Sequence, residues 1–113
     1  MDDFVAVRAF AALAQENRLS IFRHLVAAGP SGVAAGEIGK ALGISPTSLS
    51  FHLKELDRAG LVTQTRHGRF IHYALHVEGV RQLIEYLTEE CCGGQPELCG
   101  AIFTRAESLC KES

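Results

Sequence analysis

The side chains with the most chemistry to offer are four cysteines, Cys91, Cys92, Cys99 and Cys110, all placed after residue 90 of a 113-residue chain. Adjacent residues on a regular helix point about 100° apart, so Cys91 and Cys92 can serve one centre only where the helix frays. Gly93-Gly94 promotes such fraying, and Pro96 helps turn the chain so that Cys99 can return to the same point. Three thiolates with no nitrogen or oxygen ligand in the run suit a soft, thiophilic ion and leave a tetrahedral zinc site one ligand short. Cys110 is the candidate fourth ligand. A dithiol switch that closes a disulfide on oxidation is a competing chemistry. Burial as small apolar residues is a third, although a glycine-rich, acidic tail offers little core.

Cys99-Gly100-Ala101-Ile102-Phe103-Thr104-Arg105 also satisfies the Cys-x5-Arg pattern of phosphatases and arsenate reductases. That chemistry needs the cysteine loop between a strand and a helix of a parallel sheet. No strand is expected before Cys99, and only nine residues follow Thr104. The chain is therefore read as a non-enzyme.

A second group of residues points to nucleic acid. Ser45-Pro46-Thr47-Ser48-Leu49-Ser50-Phe51-His52-Leu53-Lys54-Glu55-Leu56-Asp57-Arg58-Ala59-Gly60 reads as one helix with both ends marked. Ser45 is an N-cap, Pro46 suits the first helical position and Gly60 closes the helix. Leu49, Leu53 and Leu56 form an apolar stripe, while Thr47, Ser50, Phe51, Lys54 and Arg58 project elsewhere. Short hydroxyls in the first two turns let a helix sit deep in a groove and bond phosphates or base edges. The residues expected toward DNA from this helix are Ser45, Thr47, Ser48, Ser50, His52 and Lys54.

The formal net charge of −2 argues weakly against nucleic acid until it is divided along the chain. Residues 1–44 balance four cations against four acids. Residues 45–76 carry Lys54, Arg58, Arg66 and Arg69 against Glu55 and Asp57, a local +2, with four histidines besides. Residues 77–113 carry three cations against seven glutamates, a local −4. The basic character thus coincides with the candidate recognition helix, as an electrostatic footprint should. The length suits one domain. The start Met1-Asp2-Asp3 lacks a basic leader, and no stretch reaches the roughly 18 apolar residues of a membrane span, so a cytoplasmic protein with no membrane partner is expected. Cysteines in a reducing compartment are more often ligands or redox thiols than staples.

The elements that must position these residues follow from periodicity. Phe4, Val7, Phe10, Ala11 and Ala14 predict a first helix from Asp3 to Ala14 with one apolar face. Gln15-Glu16-Asn17 interrupts it. A second helix over Arg18–Ala28 is expected to bury Leu19, Phe22, Leu25 and Val26 and to stop at Gly29-Pro30. A third, Ala35 to Leu42, turns Ile38 and Leu42 inward and ends at Gly43, so tightly before Ser45 that the pair matches a helix-turn-helix. Leu61–Thr65 and Phe70–Leu75, joined by Arg66-His67-Gly68-Arg69, predict a β-hairpin. A hairpin directly after a recognition helix, with arginines at its tip, is a wing whose Arg66, His67 and Arg69 can reach phosphate or a minor groove. Val77 to about Glu90 restores helical spacing. The first and last helices have apolar faces to spare, which predicts pairing with a second copy, since twofold DNA readers span half-sites roughly 34 Å apart. The expected fold class is α+β, mostly helical: a winged helix-turn-helix of four helices, a β-hairpin and a fifth helix, as a homodimer.

Leu42-Gly43-Ile44-Ser45, Ser50 through Leu56, Ala59-Gly60-Leu61-Val62, Arg66-His67-Gly68-Arg69 and Tyr73 resemble, in that order, the ArsR/SmtB family of bacterial metal-sensing repressors. The resemblance covers residues 4–90. It implies a dimeric winged helix that represses its operator in double-stranded DNA and releases it when an inducer binds. The tail is similar to that of arsenical-responsive members, which implies trivalent arsenic or antimony as inducer, held by Cys91, Cys92 and Cys99, with no organic cofactor. Residues 1–90 are then the DNA-binding and dimerisation domain, and 91–113 the inducer-binding tail. Two departures matter. The family's Cys-x-Cys on the third helix has no counterpart, because Ala34 to Ile38 contain no cysteine, and the zinc-sensing members' histidines are missing between Val77 and Glu90. His72 and His76 precede that helix and are read as wing or groove residues. Sensing therefore falls to the tail, with redox, sulfide, zinc or cadmium response as alternatives within the fold.

Overall fold

The structure, a computed structural model, describes residues 1–88; Cys91, Cys92, Cys99, Cys110 and the expected tail 91–113 lie outside the described residues. Residues Met1–Leu83 form one compact unit, and a second begins at Ile84. The elements are α1 (Asp3–Leu13), α2 (Glu16–Ala28), β1 (Val33–Ala34), α3 (Ala35–Leu42), α4 (Pro46–Arg58), β2 (Val62–His67), β3 (Phe70–Leu75) and α5 (Val77–Thr88). This is the winged helix-turn-helix order that the sequence predicts, with one addition. The two-residue β1 pairs antiparallel with β3 through Val33↔Tyr73 and Ala34↔His72, making a three-stranded sheet of order β1-β3-β2.

Local signals set the helix ends. Asp2 Oδ1 accepts the Val5 amide at 2.9 Å and opens α1. Gln15 Oε1 accepts the Arg18 amide at 2.9 Å, so α2 starts two residues earlier than predicted, with Gln15 as its cap rather than as a linker. Gly43, at φ 66°, ends α3 in the left-handed conformation that glycine adopts without steric cost. Gly32 is required for a different reason. A Cβ there would lie 2.8 Å from the Tyr73 carbonyl, so only glycine lets β1 close against β3.

The core draws on every layer of the first unit. Ile21 and Leu25 of α2, Ile38 of α3, Leu53 and Leu56 of α4, and Leu61 and Val62 at the entry to β2 are all buried. Each such side chain contributes roughly 1.5–3 kcal/mol when removed from water. One predicted face is corrected, that of α2, while the apolar face of α1 expected to pair with a second copy stands outward. In α1 the buried residues are Ala6, Ala9 and Ala12, whereas Phe4 is 70% and Val7 64% exposed. Alanines let α1 approach its neighbours closely, and the larger side chains then have no room on that side. In α2 the inward residues are Ile21 and Leu25, while Leu19 and Val26 are exposed.

Candidate nucleic-acid interface

α4 presents two opposite faces. Leu49, Leu53 and Leu56 are buried as predicted, and Ser45, Thr47, Ser48, Ser50 and Lys54 are exposed. The Ser45 hydroxyl accepts the Ser48 amide at 3.4 Å, which completes the cap beside Pro46. Thr47, Phe51, Lys54 and Arg58 follow one another at spacings of four, three and four, so they line up along the side away from the leucines. Phe51 is 57% exposed, in agreement with its position some 160° around the helix from Leu53.

His52 is the exception. It was expected toward the groove, but only 8% of its surface is exposed. Its Nδ1 lies 3.4 Å from Nη1 of Arg18, whose Nε donates to the Ala12 carbonyl at 2.7 Å. A guanidinium has only protons to donate, so Nδ1 accepts and the ring proton sits on Nε2. Burial first, and the Arg18 charge second, hold the imidazole below the usual histidine range. His52 is therefore a neutral strut joining α4 to α2 and the end of α1. The signal was present in its spacing, three residues after Leu49 and four before Leu56, which puts it on the edge of the leucine stripe.

The hairpin turns at Gly68-Arg69, closed by the pair His67↔Phe70, and β2 runs two residues further than the predicted Thr65. Of the two turn residues only Gly68 has positive φ, the pattern of a II′ turn. Side chains alternate along β2, so Arg66 shares a face with Gln64 and His67 lies on the other. Gln64 Nε2 donates to Asp57 Oδ2 at 3.1 Å, which identifies the Arg66 face as the one turned toward α4. His67 instead stands against His72, with ring centroids 4.6 Å apart. Arg66, His67 and Arg69 are all exposed. Among the described residues no acid pairs with Lys54, Arg66 or Arg69, whereas Arg58 is held by Glu55 at 3.2 Å.

The C-terminal end of α4 is tied to α5. The Leu61 carbonyl accepts the His76 amide at 2.9 Å, and His76 Nδ1 donates to the Gly60 carbonyl at 3.0 Å. Gly79, in the first turn of α5, packs directly on that same carbonyl, where a Cβ would collide. This corrects the reading of His76 as a wing or groove residue. No helix among the described residues is long and apolar enough to cross a membrane.

Residues 13–65 match the helix-turn-helix domain family. The chain is 35% identical over 74 residues to the uncharacterised HTH-type transcriptional regulator YceK of Bacillus subtilis, covering 66% of this chain and 73% of that protein. It is 33% identical over 87 residues to the transcriptional activator HlyU of Vibrio cholerae (77% and 78%), and 35% over 83 residues to the arsenical resistance operon repressor of B. subtilis (74% of each). Among solved structures, an ArsR-like transcriptional regulator from Rhodococcus sp. RHA1 superposes with a TM-score of 0.65 at 26% identity, over 96% of this chain and 91% of that one. A possible ArsR-family regulator of Mycobacterium bovis, solved as a homodimeric winged helix-turn-helix DNA-binding domain, gives 0.63 at 27% identity, over 80% and 89%. Reduced HlyU from V. cholerae gives 0.60 at 32%, over 78% and 90%.

Proposed function

The chain belongs to the ArsR family of winged-helix transcriptional regulators, and on that premise we propose that it is a cytoplasmic, homodimeric repressor whose operator is released by trivalent arsenic or antimony bound to Cys91, Cys92 and Cys99. A DNA-binding regulator of this family is not an enzyme. The observation that carries the DNA contact is the alignment of Thr47, Phe51 and Lys54 on the exposed side of α4, with Ser45, Ser48 and Ser50 also exposed and Arg66 on the hairpin face turned toward α4. Hydroxyls and Phe51 read bases, and Lys54, Arg66 and Arg69 hold phosphates. His67, exposed at the wing tip on the other face, is the remaining candidate contact from the hairpin. Dimerisation is supported by the homodimeric M. bovis relative and by the exposed Phe4, Val7 and Phe10 of α1.

The inducer assignment rests on the sulfur-only run of the tail and on similarity to an arsenical resistance operon repressor. Thiolates must shed protons to bind, so affinity falls as pH drops below their titration range. Binding releases DNA by favouring the conformation that binds DNA less well, and a tenfold loss needs about 1.4 kcal/mol of such preference. α5 leads into the tail, and its first turn bears on the end of α4 through Gly79, His76 and Gly60. On this reading a shift of α5 is the movement that displaces the recognition helix. X-ray absorption of the arsenite-loaded protein tests the site: three sulfur neighbours per arsenic are expected, and a Cys110→Ser variant should leave them unchanged. Loss of a sulfur neighbour in that variant would replace the assignment with one that includes Cys110.

A thiol redox switch is the second reading, favoured by the similarity to reduced HlyU. It predicts loss of two free thiols and of operator affinity on mild peroxide treatment, without any metal.

A further inference from the structure

A cleft of about 810 Å3 lies between α3, the start of α4 and β3, with the core residues Leu49 and Leu53 on its wall. We infer that it binds a small organic carboxylate with an apolar body. Small-molecule sites typically occupy roughly 300–1,000 Å3 and combine an apolar lining with a few convergent polar groups. Here Leu49, Leu53 and Ile71 provide the apolar surface, and the α3 side is lined by glycine. A Cβ on Gly36 would meet nothing within 4 Å, so that side of the cleft is left unfilled. Gly39 is different: its Cβ would lie 3.1 Å from the Ile44 carbonyl and 3.3 Å from Leu49 Cδ2, so it serves helix packing.

Charge sets the class of occupant and its orientation. Among the described residues Lys40 is the one charged residue lining the cleft, with Ser45 and Ser50 also on its wall. On the β3 side, burial and the nearby Asp57 carboxylate push the Tyr73 phenol up, the mark of a place that disfavours a further negative charge. The carboxylate therefore pairs with Lys40, and the apolar body extends toward Ile71 and Tyr73. Ser45 and Ser50 also belong to the proposed DNA face, so carboxylate and operator compete. That competition rests on the proposed DNA contacts; the binding itself does not.

The probe is 2-naphthoate, titrated into the full-length protein and followed by amide chemical shifts and by its own fluorescence. One saturable site per chain is expected, with the largest shifts at Gly36, Gly39 and Ile71. Lys40→Gln should weaken binding about tenfold, neutral 2-naphthamide should bind about tenfold more weakly than naphthoate, and Gly36→Phe, which fills the space, should abolish binding. Circular dichroism checks that Gly36→Phe folds; if it does not, Lys40→Gln and the amide decide. Absence of saturation, shifts centred elsewhere, binding indifferent to Lys40→Gln, or equal affinity for the naphthamide would each overturn the site. If naphthoate binds at the cleft but operator DNA fails to displace it, the competition is wrong and the site stands.

Discussion

His76 Nδ1 lies 3.0 Å from the carbonyl oxygen of Gly60, so the residue that opens α5 holds the one that closes the recognition helix. Gly79 completes the joint by packing against the same carbonyl. Glycine to alanine inside a helix ordinarily stabilises by up to about 1 kcal/mol. Here the added methyl meets backbone, so Gly79→Ala should destabilise by about 1–3 kcal/mol in urea unfolding. A variant as stable as the parent would show that the joint can relax without cost.

The Arg18–His52 contact makes stability depend on pH with a definite sign. The folded-state pKa of His52 is depressed, so between that value and about 6.5 the unfolded chain binds the extra proton. The stability due to the neutral ring is complete above about pH 6.5 and is lost as pH falls through the folded pKa. The unfolding midpoint should therefore drop from pH 7 to pH 5, and a His52→Gln variant should flatten that part of the profile. An unchanged slope would remove His52 as its source.

The wing and the helix should separate positioning from reading. Arg66→Ala and Arg69→Ala should each weaken cognate and random DNA alike and reduce the salt slope by about one unit, whereas Ser50→Ala should alter discrimination between sequences. Equal effects of all three on every duplex would contradict the division of roles.

Phe51 is exposed and meets His52 edge-on at 5.5 Å. Phe51→Ala should lower operator affinity through a lost contact with a thymine methyl or base, with little change in melting temperature. A loss of several degrees with unaltered DNA binding would place its role in packing instead.

How far each part was legible depended on the range of the forces involved. Ser45, Pro46 and Gly43 act within one turn, so the boundaries of α3 and α4 could be read directly. The burial of Ala6, Ala9 and Ala12 in place of Phe4 and Val7 could not, because periodicity marks both faces of α1 as apolar and only the close approach of neighbouring helices selects the smaller one. β1 escaped for a similar reason: two residues carry no period, and the strand exists through its pairing with Tyr73 and His72, some forty residues away. His52 was misplaced because its polarity outweighed its spacing, and its burial depends on Arg18, thirty-four residues earlier in the chain.

Arsenite release through the three thiolates is tested most directly by fluorescence anisotropy of labelled operator DNA titrated with arsenite, comparing the parent protein with Cys91→Ser and Cys99→Ser. Tight binding without arsenite is expected for all three, and at least tenfold weaker binding with arsenite for the parent alone. Release of Cys99→Ser at the same arsenite concentration as the parent would contradict it.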